Sequence, residues 1–129
     1  MDKQAVIIRA AERLPVETRK VVANAIIQSI DRDINRVDAT TRFNYLVTIA
    51  SAVLGVDYHH DRRDQGSADI RTLCAKAMRL EKYTFYTIAD AMGKDHSTIA
   101  YMVRRADDMA AGYMGSWYKT KYKEFINKI

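Results

Sequence analysis

A single proline, Pro15, and five glycines punctuate the 129 residues of this chain. Strand-rich folds need many tight turns, and turns draw on glycine and proline for conformations that other residues adopt only at a cost. A chain this poor in both predicts an all-α fold. Its length supports one domain with a substantial core. Hydrophobic residues make up 48% of it and charged residues 29%, a globular rather than a disordered balance.

Apolar spacing predicts a bundle of about six to seven helices. The first is expected from Lys3 to Arg13, with Val6, Ile7, Ala10, Ala11 and Leu14 on one face. Pro15 suits the first turn of a second, where its missing N–H costs nothing. That helix repeats Val22, Ala25, Ile26 and Ile30 and gives way to charge in "DRDINRVD". Asp38 or Thr40 would cap a third, with Phe43, Leu46, Val47, Ala50, Val53 and Leu54 inward and Gly55 at its C-terminal cap. The polar stretch "VDYHHDRRDQG" reads as a loop. Ser67 would cap a fourth helix, burying Ile70, Leu73, Cys74, Ala77 and Leu80. Thr84 would cap a short fifth, with Phe85, Ile88, Ala89 and Met92 on its inner face, and Gly93 would end it. Asp95 would cap the sixth.

Several classes of function fall away. Cys74 is the only cysteine and has no internal partner, which points to a reducing, cytoplasmic setting. The opening "MDKQAVIIRAAERL" does not read as a signal peptide. The most apolar stretch, "LVTIASAVLGV", is far shorter than the roughly 20 residues that span a bilayer, so no membrane partner is expected. His59, His60 and Asp61 are adjacent in the loop, without the spacing of a metal or catalytic site. No metal, cofactor or enzymatic activity is therefore expected. The methionines at 78, 92, 102, 109 and 114 read as core filler, and Cys74 as a small buried residue.

The formal charge is +5. Residues 1–47 hold 8 basic and 6 acidic groups, residues 48–92 hold 6 of each, and residues 93–129 hold 7 and 4. An excess weighted toward one end suits a polyanionic partner. In that end, two helices joined by the glycine-containing turn at residues 93–95 form a helix-turn-helix pattern. At about 100° per residue, Ile99, Val103, Ala106 and Ala110 of the second helix face inward. Ser97, Tyr101, Arg104 and Asp108 fall opposite, with Thr98 and Arg105 beside them and His96 at the margin. Hydroxyl, phenol, imidazole and guanidinium groups bond to base edges and phosphates, and Lys94 in the turn adds charge. The plain alternative is a capped helix with a solvated polar face.

The stretch "TIADAMGKDHSTIAYMVRRADDM" resembles the C-terminal DNA-binding domain of the bacterial chromosomal replication initiator, DnaA. That family's signature reads roughly "IGxxFGGRDHTTVxHAxxKI". Asp95, His96 and Thr98 match it as they stand; Ser97 replaces a threonine, Ile99 a valine and Lys94 an arginine. Upstream, "ADIRTLCAKAMRL" is similar to the family helix beginning "ARQIAMYL", which places Arg71 at the family's arginine. The loop "LGVDYHHDRRD" sits where the family has a basic loop.

The resemblance implies a Trp-repressor/DnaA C-terminal-domain-like helix-turn-helix bundle. It implies that Asp95, His96 and Ser97 meet bases in the major groove and that Lys94, Thr98 and Arg71 hold phosphates. Arg62 or Arg63 would reach the minor groove. The turn has one glycine where the family has two, Tyr101 replaces a histidine, and the loop carries more acid than the family's. The initiators' phosphate loop, G-x-x-x-x-G-K-[ST], is missing, so no ATPase is expected.

Residues 1–47 thus read as a helical extension, 48–110 as the DnaA-like DNA-binding region, and 111–129 as an amphipathic basic and aromatic helix. Its stripe of Met114, Tyr118, Phe125 and Ile129 is expected to pack on the N-terminal helices or on a second subunit. The expected function is sequence-specific binding of double-stranded DNA by a small bacterial or phage transcription or replication regulator associated with the nucleoid. The rival is a protein-docking module, with the N-terminal helices serving a homodimer or another protein. A small hydrolase built on His59, His60 and Asp61 is third.

Overall fold

Helix α1, Val16–Leu54, is the longest element of the fold. The computed structural model describes the backbone of residues 16–60 and 62–129, and the side chains of 23–26, 37–60 and 62–129. The chain divides into two units, Met1–Arg36 and Val37–Ile129. The expected helix from Lys3 to Arg13, Pro15, Asp61 and the spacing at Val22 and Ile30 lie outside the described residues.

The fold is all-α, and the described residues form five helices with no strand. The second and third helices expected from the sequence are one continuous helix, α1. "DRDINRVD" contains neither proline nor glycine, so no residue in it breaks a helix. Asp38 and Thr40 lie inside α1 and do not begin a helix; Asp38 accepts a hydrogen bond from the Tyr83 hydroxyl. From Val37 on, α1 buries Ala39, Phe43, Leu46, Ala50, Val53 and Leu54, with Val47 half-buried. Gly55 ends it at a φ of +70°, donating its N–H to Ser51 at 2.8 Å.

Helix α2, Gln65–Leu80, is the centre of the second unit. Ten of its residues are buried, among them Ser67, Asp69, Arg71 and Thr72. Its cap is Asp64 rather than Ser67: the Asp64 carboxylate accepts the Ser67 N–H at 3.0 Å, which holds that carboxyl below the usual aspartate range. Ser67 instead sits buried in the first turn, and its hydroxyl accepts the His59 N–H at 2.9 Å. Leu80, expected inward, is 53% exposed because it is the last residue of a helix whose end leaves the core. Cys74 is fully buried, which pushes its thiol pKa up.

Helices α3, Phe85–Met92, α4, His96–Ala111, and α5, Ser116–Lys128, pack on α2. The Thr84 hydroxyl caps α3 by accepting the Thr87 N–H at 3.1 Å. Ile88, Ala89 and Met92 are buried, and Phe85 is half-buried against the core. On α4, Ile99, Met102, Val103, Ala106 and Met109 are buried, and Ala110 is half-buried. Each large apolar side chain so buried contributes about 1.5–3 kcal/mol. The C-terminal stripe was expected against the N-terminal helices or a second subunit. It packs on α4 and α2, with Phe125 at its buried centre and Ile129 37% exposed. Arg42 pairs with Glu81, so with the Tyr83–Asp38 bond α1 is tied to the turn after α2.

Candidate nucleic-acid interface

The turn between α3 and α4 is built by Gly93. It adopts φ +64°, ψ +37°, a left-handed conformation that costs a β-carbon-bearing residue strain. The Lys94 N–H returns to the Ala89 carbonyl at 2.9 Å and the Gly93 N–H to Asp90 at 3.4 Å, closing α3. Lys94 and Asp95 then lead directly into α4.

Asp95 occupies the cap position, but its carboxylate accepts no capping hydrogen bond. Thr84, at the same position of α3, does accept one. The Asp95 side chain is exposed, and its carboxylate has no partner among the described residues. Lys94, Asp95, His96 and Ser97 are all exposed, and Thr98 is half-buried. One and two turns on, Tyr101 (57% exposed) and Arg104 continue the same face. Tyr101, Arg104, Arg105, Asp108 and Met114 line a shallow groove of about 430 Å³ along it. None of Lys94, Asp95, Ser97, Tyr101 and Arg104 makes a side-chain hydrogen bond or ion pair among the described residues.

His96 has one neighbour that the sequence did not suggest. The Tyr86 ring, 67% exposed on α3, lies against the imidazole with centroids 4.7 Å apart and planes inclined by 36°. The contact restricts the histidine without burying it. Tyr86 stands two residues before the buried Ile88, on the outer side of an amphipathic helix, and that position was the available signal.

Arg105 stands on the same helix as Arg104 but is turned inward. Its guanidinium donates to Asp69 Oδ1 at 3.0 Å. Asp69 also accepts Gln65 Nε2 at 2.8 Å and the Tyr118 hydroxyl at 2.9 Å, so one buried carboxylate joins α2, α4 and α5. The Tyr118 pKa is raised, first by burial and then by this bond.

The remaining candidates are divided between the loop and α2. Arg62 and Arg63 are exposed in the loop, with no side-chain partner among the described residues. Arg71 is 6% exposed and donates to two loop carbonyls, so it is not on the exposed face. His60 Nδ1 is hydrogen-bonded to the Tyr58 hydroxyl at 2.7 Å. Its Nε2 lies 3.9 Å from where a β-carbon on Gly93 would stand, which puts the loop beside the turn. No three His, Cys, Asp or Glu residues among those described are grouped to hold a metal ion. No helix among them is long and apolar enough to cross a membrane. No protein-family model, curated protein or solved structure matches the chain.

Proposed function

We propose that the chain binds double-stranded DNA sequence-specifically, with α3 and α4 as a helix-turn-helix of the Trp-repressor/DnaA type and α4 as the helix that enters the major groove. One observation carries this reading: a row of base- and phosphate-bonding side chains, Lys94, Asp95, His96, Ser97, Tyr101 and Arg104, stands exposed along α4 and its turn. Apart from the ring contact of His96, none of these side chains is engaged by another among the described residues. A carboxylate such as Asp95 can accept from the cytosine amino group, and imidazole and hydroxyls can reach base edges. Thr98 and Lys94 stand where a phosphate would meet the start of α4, whose partial positive charge favours it. Arg62 and Arg63 supply further cationic contact from the neighbouring loop. The role is that of a small bacterial or phage regulator of transcription or replication, acting at the nucleoid.

Selection from random duplex DNA followed by a salt titration tests this. A preferred site should emerge, and log affinity should fall with log salt by about 0.9 for each phosphate neutralised. Affinity that is flat from low to physiological salt, with no site selected, would assign the exposed face to a protein partner instead.

A further inference from the structure

Arg71 is a buried cation, and among the described residues no carboxylate pairs with it. Its guanidinium is engaged by the loop before α2: Nη1 donates to the His60 carbonyl at 3.3 Å and Nη2 to the Arg62 carbonyl at 3.2 Å. The Tyr58 ring lies 5.8 Å from the guanidinium carbon, and Nε has no hydrogen-bond partner among the described residues. A buried charge without an ion pair is costly unless its hydrogen bonds are well placed. Here a planar fork spans two carbonyls of one loop, a geometry that the point charge of lysine does not reproduce.

The same loop is fastened twice more. Its His59 N–H bonds to Ser67 on α2, and Tyr58 holds the His60 ring, which abuts the Gly93 turn. The loop that carries the exposed arginines therefore runs beside the Gly93 turn. We propose that Arg71 is a positioning residue for DNA recognition: it shapes the loop that carries Arg62 and Arg63 and does not itself reach the nucleic acid. This rests on the duplex-binding reading above. At 6% exposure, Arg71 would have to leave its place under the loop to meet a phosphate.

Two measurements on the full chain test the role. The first uses no DNA. Trypsin cleavage after Arg62 and Arg63, followed by mass spectrometry, should quicken about tenfold in Arg71→Lys and Arg71→Met, under conditions where circular dichroism shows both folded. Unchanged cleavage overturns the clamp. The second is a double-mutant cycle on a selected duplex. Arg71→Lys should raise Kd about tenfold in the otherwise natural chain but less than about twofold in an Arg62→Ala/Arg63→Ala background. Equal effects in both backgrounds would mean that Arg71 acts on DNA independently of the loop, and would overturn the proposal while leaving DNA binding intact. A chain that binds no duplex at any salt overturns the duplex reading and this role together. Should neither of these Arg71 variants fold, Arg71→Gln, which keeps a donor toward one of the two carbonyls, is carried through the same cleavage assay and cycle.

Discussion

The two sides of α4 use the same kinds of side chain in opposite ways. On the inner side, Arg105 meets Asp69, and Asp69 is also joined by Tyr118 and Gln65, so the buried carboxylate is surrounded by donors. On the outer side, Arg104, Tyr101 and Asp95 carry the same guanidinium, phenol and carboxylate with no partner among the described residues. Neighbours in sequence, Arg104 and Arg105 differ by one helical step of about 100°, and that step separates holding the fold from facing solvent. Polar groups that the fold engages are its structure. Those it leaves unengaged in a continuous row are the candidates for binding.

The largest expected effect lies on the inner side. Asp69→Ala removes the acceptor for three donors and leaves Arg105 without its ion pair, so urea unfolding should show a loss of about 3 kcal/mol. Arg104→Ala should change stability by less than about 0.5 kcal/mol while weakening duplex binding. Equal stability losses in the two variants would erase the distinction between the sides.

Next come the outer readers. His96→Ala should cost about 1–3 kcal/mol on a selected duplex and little on random sequence. Lys94→Ala should weaken both together and make the salt slope shallower by about one. If His96→Ala leaves site preference unchanged in a folded protein, the histidine does not read bases. If it unfolds the chain instead, its contact with Tyr86 is structural.

The two helix caps sharpen the same contrast at smaller magnitude. Thr84→Ala loses a capping hydrogen bond and should cost about 1 kcal/mol. Asp95 makes no such bond, so Asp95→Ala should cost less than about 0.5 kcal/mol in thermal unfolding and show its effect on DNA discrimination. A large loss of stability in Asp95→Ala would return that residue to a capping role.

The smallest effect is alkaline. The Tyr83 phenol is pushed up to about 12, chiefly by its hydrogen bond to Asp38 and then by burial. Tyr118 is raised as well, by burial and by Asp69. Unfolded tyrosine titrates near 10, so both phenols favour the folded state below about pH 10. That contribution should fade as pH rises from about 10 toward 12. A Tyr83→Phe/Tyr118→Phe variant should lose less melting temperature over that interval than the natural chain.

Much of the candidate interface was legible in the sequence. Glycine at 93, a hydroxyl at 84 and apolar residues at 88, 92, 99, 103 and 106 place α3, the turn and the inner face of α4 by local rules alone. The outward position of Ser97, Tyr101 and Arg104 followed from helical spacing. Local rules failed where several were compatible with the residues. "DRDINRVD" contains good N-terminal caps, yet nothing in it forbids a helix, and α1 runs through. Asp64 and Ser67 both suit a helix start, and the packing of Ser67 under the loop decided between them.

By itself the sequence determined that the chain is helical, where α3 and α4 begin and end, and which face of α4 turns outward. These follow from backbone conformational preference and from apolar spacing along one segment. Only the tertiary structure decided which charged residues the fold engages. Arg71, Asp69 and Arg105 are as polar as Arg63, Asp95 and Arg104, and nothing in residue type separates the two sets. The first set lies where α2 packs against the loop, α4 and α5, and each member finds its partners there. The second is exposed to solvent, with no side-chain hydrogen bond or ion pair among the described residues.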